Sequence, residues 1–308
     1  MSDFSISCGV YPTMITPYKN GAIDFGAVAA LTQWYIAKGC KGVFAVCQSS
    51  EMAFLSLKER EELAKAVVKA ANGQLTVVAS GHVADSMEEQ IREANTIAGT
   101  GVDAFVAVSN RFDLHHDGDD EFLRQADSFL AGVDPSVPLG IYECPRPYKR
   151  LLTPRILDYC IDTRRFVFIK DTCCDPVMLT DRLDQLRGTG VGLFNANEQT
   201  LYHSLKAGAS GYSGIMANFH PELLAWLCEN YEKEPEKAEK LSSMLSMIAF
   251  TEANTYPCTA KKYLNDYVGI PMEIFARSAD QKLLTPYWEL IVRQMREYQN
   301  LIHELLGV

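Results

Sequence analysis

Residues 166–171 read FVFIKD: four apolar side chains in succession, then a lysine and an aspartate. A strand that is apolar on both faces fits a sheet covered on both sides, as parallel sheets are. Other short β-prone runs share this character: GVYPTMI (9–15), GVFAVC (42–47), LTVVAS (75–80), VDAFVAV (102–108), VPLGIYE (137–143), VGLFNA (191–196) and GASGYSGI (208–215). Longer segments of helical periodicity lie between them, for example LKEREELAKAVVKAA (57–71) and SMEEQIREANTIAGTG (86–101). Eight strand–helix units are the number that closes a (β/α)8 barrel, and an open doubly wound sheet is the alternative.

After Pro221 the β signal stops and helical segments follow, among them PELLAWLCENYEKEP (221–235) and YWELIVRQMREYQNLIHELL (287–306). The expected organisation is therefore a barrel core over 1–220, with a C-terminal helical extension over 221–308 that completes the barrel and packs on it. A chain of 308 residues with 47% hydrophobic and 22% charged residues can bury a sizeable core. A net charge of -10 without a dense Lys/Arg cluster argues against nucleic acid as a partner. No apolar run reaches bilayer length and the start, MSDFSISCGVYP, does not read as a signal segment, so membrane is not an expected partner either. Nine cysteines, an odd number with no C-x-x-C pair, fit a reducing compartment, and the expectation is a cytoplasmic protein. The only tight histidine pair, His115–His116, sits beside DGDD and reads as a solvated loop, so no metal site is expected.

In such a barrel the active site lies at the C-terminal ends of the strands. Those ends read CQSSE (47–51), SNRF (109–112), YECP (142–145), KD (170–171), NANE (195–198) and SGI (213–215). A lysine held among apolar residues has its charged form disfavoured, and its amine can then add to a carbonyl to form a Schiff base. Lys170 has that setting. The plainer reading is a strand-end lysine reaching to water beside Asp171. Tyr142, ending the preceding strand, offers a phenol able to carry protons to and from the carbinolamine. QSSE offers hydroxyls and backbone N–H groups to a carboxylate, and equally suits a helix cap.

These residues resemble the dihydrodipicolinate synthase and N-acetylneuraminate lyase family of class I, pyruvate-dependent aldolases. The resemblance runs over nearly the whole chain, through ITPYKNGAID (15–24), CQSSEMAFLSLKER (47–60), YECP, FIKD and GASGYSGIMANFHPE (208–222). It implies that Lys170 forms an imine with a 2-oxo acid and that Tyr142 relays protons. It places the carboxylate-binding loop on Gln48, Ser49 and Ser50, with Ser49 keeping a hydroxyl, and sets a backbone carbonyl of Ser213 against the pyruvyl group. No cofactor is implied beyond the covalent imine through Lys170.

Departures bear on the reaction. Gln48 replaces a hydroxyl residue and Ser50 a glycine. Phe112 falls where the synthase lends a second tyrosine across a subunit interface, and a phenyl ring cannot relay a proton. Pro147 falls on the arginine that receives the second substrate's carboxylate, with Arg146 and Lys149 close by. Glu198 matches a carboxylate that binds sugar hydroxyls in the lyase branch, followed by Gln199, although a carboxylate there also suits a helix N-terminus. The expected activity is reversible C–C cleavage of a 2-oxo-3-deoxy sugar acid, with pyruvate and an aldehyde as the two halves. Dihydrodipicolinate synthase, a related dehydratase and a non-catalytic oxo-acid binder are the competitors, and redox chemistry at Cys173–Cys174 is a further one. The resemblance also implies a homo-oligomer, tetramer or dimer.

Overall fold

The computed structural model describes residues 6–251 and 254–308. Its main sheet has strands β1 (Gly9–Val10), β2 (Gly42–Phe44), β3 (Thr76–Ala79), β4 (Ala104–Val108), β5 (Leu139–Tyr142), β6 (Phe166–Asp171), β7 (Gly192–Asn195) and β8 (Gly211–Tyr212). Each strand from β2 to β8 pairs in parallel with the next, and β8 pairs in parallel with β1. The ring closes just past β1: Thr13 bridges Phe44, the Phe44 N–H donates to Pro12 O at 2.9 Å, and the Met14 N–H donates to Phe44 O at 3.1 Å. The sheet is a barrel rather than an open doubly wound sheet. β1 is short because Pro12 has no N–H to give a ladder.

Aromatic rings fill the barrel. Tyr11 and Phe194 centroids lie 4.6 Å apart, Phe168 and Phe194 4.7 Å, and Tyr11 and Phe168 5.7 Å. Each such pair adds about 0.5–1.5 kcal/mol beyond area burial. Glycine makes the room: a Cβ on Gly42 would stand 2.0 Å from the Tyr11 ring, and one on Gly211 would stand 1.9 Å from Gly9 O.

Helices α1 (Phe25–Ala37), α2 (Leu57–Ala71), α3 (Met87–Ala98), α4 (Asp119–Gly132), α5 (Pro154–Asp162), α6 (Pro176–Leu186), α7 (Leu201–Ala207) and α8 (Pro221–Asn230) ring the sheet. Their starts carry caps: Asp24, Ser56, Ser86, Thr153 and Asp175 accept from backbone N–H groups of the first turn, and Ser56 with Glu59 forms a reciprocal capping box. α8 packs against β1 and β8. α9 (Pro235–Ile248), α10 (Cys258–Tyr263) and α11 (Pro286–Leu306) follow, with α11 lying on α9 and α10. A small hairpin after β1 pairs Tyr18–Lys19 with Ala22–Ile23. Its turn is Asn20–Gly21, with φ of 52° and 74°, the left-handed pair that a two-residue hairpin turn requires.

Candidate active site

The strand ends open into a cavity of about 770 Å³. Tyr142 and Lys170 are register partners on β5 and β6, so their side chains leave the sheet side by side. Lys170 Nζ lies 4.2 Å from the centre of the Tyr142 ring and 5.7 Å from that of Phe44. Both Lys170 and Tyr142 line the cavity, and Lys170 is only 4% exposed. Burial, with the Cys144 and Cys47 thiols nearby, pushes the Tyr142 phenol well above its ordinary range, so it holds its proton at neutral pH.

The two strand ends are clamped together. Arg182 of α6 pairs with Glu143 Oε1 at 2.8 Å and with Asp171, the residues that follow Tyr142 and Lys170. Glu143 also accepts the Leu152 N–H at 2.7 Å and the Thr172 N–H at 2.8 Å. Burial and the adjacent Asp171 raise the Glu143 carboxyl above its usual range. Arg182 Nη2 also donates to Leu152 O at 2.6 Å, while its Nε is buried without a partner among the described residues, and these bonds tie the two strand ends together beneath the lysine.

The loop over 47–51 contributes three residues to the cavity wall. Gln48, Ser49 and Glu51 face the cavity. Gln48 Oε1 accepts from the Cys144 thiol at 3.0 Å, and Ser49 Oγ donates to Thr13 Oγ1 at 3.1 Å. Glu51 has φ of 63° and is held by Lys261 Nζ at 3.2 Å and by the N–H groups of Arg277 and Ser278 at 2.5 and 3.1 Å.

Some residues selected from the sequence stand elsewhere. Ser50 lies beneath the loop, not in the cavity wall: its hydroxyl is bonded to Met14 O at 2.8 Å and Ala45 O at 2.7 Å and accepts the Cys47 N–H at 3.0 Å. Phe112 is 1% exposed and sits in an aromatic core with His82, Phe122 and Phe129, because the chain after β4 turns its ring inward; Arg111 takes the cavity side instead. Glu198 points away from the cavity to His220, with Oε1 2.6 Å from Nε2. It does not cap α7 either, where Asn197 Oδ1 accepts the Thr200 N–H at 3.1 Å. The Ser213 side chain is fully buried, and its neighbours Gly214 and Ile215 form the wall. Arg146 and Pro147 do line the mouth. Their loop is pinned by Asn110 Nδ2, which donates to the carbonyls of Cys144, Arg146 and Tyr148 at 3.0, 2.9 and 2.7 Å.

The cavity also holds His82 and Tyr256, which the sequence reading did not select, and Lys149, which it named beside Arg146. His82 is neutral: its Nδ1 accepts the Val108 N–H at 3.0 Å, its Nε2 lies 2.7 Å from Gln90 Oε1, and burial lowers its pKa to about 3. Lys149 donates to Thr172 O at 2.6 Å. Tyr256, between α9 and α10, lines the same cavity as Lys170, Tyr142 and Ser49, and its hydroxyl accepts from Asn218 Nδ2 at 3.3 Å. The neighbouring Cys173 and Cys174 are not joined in a disulfide, and burial pushes the Cys173 thiol up to about 12, far from a reactive thiolate.

The family model described as the dihydrodipicolinate synthetase family matches residues 7–284. The 4-hydroxy-tetrahydrodipicolinate synthase of Pseudoalteromonas atlantica is 27% identical over 253 residues, covering 80% of this chain and 84% of that protein. The enzyme of the same description from Methanococcus vannielii is 23% identical over 303 residues, 96% of this chain and 98% of its own. Among solved structures, a Ruminococcus gnavus sialic acid aldolase with its catalytic lysine mutated superposes with a TM-score of 0.87 at 20% identity, covering 99% of this chain and 100% of that one. A monomeric dihydrodipicolinate synthase variant superposes with a TM-score of 0.85 at 17% identity, covering 97% and 99% of the two chains. These structural likenesses concern the fold.

Proposed function

The chain belongs to the dihydrodipicolinate synthetase family, and from that premise we propose that it is a lyase, a class I aldolase working through an imine on Lys170. The observation that carries this reading is the buried lysine set against the Tyr142 ring in one cavity at the strand ends. The neutral amine adds to the ketone of a 2-oxo acid, and the carboxylate of that acid lies against the Gln48–Ser49 wall. The protonated imine then draws the electron pair of the breaking C3–C4 bond, while Tyr142 moves the proton.

Pyruvate is the common half, and we read the preferred direction as cleavage of a 2-oxo-3-deoxy sugar acid to pyruvate and an aldehyde. A cavity of about 770 Å³ leaves room well beyond a three-carbon acid, and Asn197, Thr172 and Arg146 supply polar groups around that room. Condensation of pyruvate with aspartate semialdehyde is the second reading. It is favoured by the synthase descriptions of the relatives and by Arg146 at the mouth, and Glu198 being turned to His220 removes one sugar-binding group from the first reading. We further read the protein as cytoplasmic, from its free cysteines and from the lack, among the described residues, of a helix long and apolar enough to cross a membrane. A homo-oligomer, dimer or tetramer, completes the reading.

The test is turnover. Pyruvate release from a panel of 2-oxo-3-deoxy sugar acids, measured beside pyruvate consumption with aspartate semialdehyde, ranks the two substrates, and Lys170→Ala must abolish whichever reaction is found. Activity that survives this substitution contradicts the imine mechanism.

A further inference from the structure

The inference here rests on the imine reading above and concerns how its protons are supplied. When the Lys170 amine adds to the ketone, the N–C bond forms, the carbonyl π pair moves to oxygen, and one proton passes from nitrogen to that oxygen. The C–O bond then breaks, oxygen leaves as water with a second proton, and the nitrogen lone pair makes the C=N bond. Amine, ketone and one proton thus give iminium and water. That proton has to be resupplied, because the buried Tyr142 must be reprotonated after giving its own.

The position counted as the second phenol holds Phe112, which lies in the core of its own chain and has no proton to give. A different phenol stands in the cavity. Tyr256 lines it together with Ser49, Tyr142 and Lys170. Its hydroxyl accepts from Asn218 Nδ2 at 3.3 Å, and Asn218 is itself fixed by Thr13 O, to which its Nδ2 donates at 3.0 Å, and by the Tyr35 hydroxyl, which donates to its Oδ1 at 2.7 Å. Ser49 Oγ, which donates to Thr13 Oγ1 at 3.1 Å, lines the same cavity and stands near enough to this phenol to oppose the rise of its pKa. We propose that Tyr256 supplies, from within one chain, the second phenol of the proton relay, acting with Ser49 to return a proton to Tyr142. Burial holds Tyr256 above the ordinary phenol range, so it carries its proton at neutral pH. The relay then needs no residue from another subunit.

The experiment measures how fast the pyruvate imine accumulates on Lys170, by mixing enzyme with saturating pyruvate and quenching with borohydride. In Tyr256→Phe the adduct still forms on Lys170, but its rate falls about 100-fold, the low end of a general acid–base contribution. Combining Tyr256→Phe with Tyr142→Phe costs little beyond Tyr142→Phe alone, because both serve one relay. A fluorinated tyrosine at 256 moves the alkaline limb of the rate downward in pH, which a packing role does not do. An unchanged saturating rate in Tyr256→Phe, with or without a change in half-saturating pyruvate, overturns the relay and leaves the imine mechanism standing. Failure of the parent enzyme to form any adduct on Lys170 removes the imine mechanism itself, and the relay with it.

Discussion

Serine at position 50 stands where the resembling family carries glycine, yet the left-handed residue of the loop is Glu51, with φ of 63°, and not Ser50. A side chain at 50 therefore costs no backbone strain, and its hydroxyl replaces solvent for three buried backbone groups. Ser50→Ala strands those groups, and a loss of about 1–3 kcal/mol is expected in urea unfolding. Glu198 gives the converse test. Glu198→Ala leaves the His220 ring without its acceptor and lowers stability by a similar amount, while pyruvate release keeps its rate, because the carboxylate faces away from the cavity. A large rise in KM for a sugar acid in this variant would return Glu198 to the substrate. Lys170 and Tyr142 were legible because strand alternation and position at a strand end determine which way they point. Phe112 and Ser50 were misread for a related reason: counting along a loop gives a residue's place but not the direction of its side chain.

Between elements, α2 is tied to the segment before α11 through Glu59. This carboxylate closes the capping box with Ser56 and receives Arg277 at 2.8 Å. The hydrogen bond from Arg277 is the main reason its pKa falls to about 2 from an ordinary 4.5. A carboxyl depressed on folding contributes stability that is complete above the ordinary value and is lost as pH falls through the folded one. The urea midpoint is therefore expected to drop between pH 4.5 and 2, and Glu59→Gln flattens that part of the profile. An unaltered profile would show that the pair does not couple to folding. The starts of α2 and α3 were readable because Ser56 and Ser86 sit immediately before periodic apolar runs. The hairpin at Asn20–Gly21 carried its signal in two residues only, and the run reading passed over it.

Over the whole molecule, the barrel was legible because a parallel sheet buried on both faces writes itself as unbroken apolar runs. The cavity was legible only in part. Tyr256 meets Ser49 and Thr13 through tertiary packing between a loop of the helical extension and the barrel mouth, and no local pattern encodes such a meeting. The same extension leaves a stripe of large apolar side chains on α11, Tyr287 at 60%, Leu290 at 38%, Leu301 at 43% and Leu305 at 64% exposure. Apolar surface of this kind favours association, and sedimentation is expected to return a mass above the 34.3 kDa of one chain, whereas a monomer at all concentrations would contradict the oligomer. The central claim concerns chemistry at one amine, and borohydride reduction in the presence of pyruvate, followed by peptide mass spectrometry, tests it most directly. The account predicts a reduced pyruvyl adduct confined to Lys170 and absent from Lys170→Ala; bound pyruvate with Lys170 unmodified would contradict it.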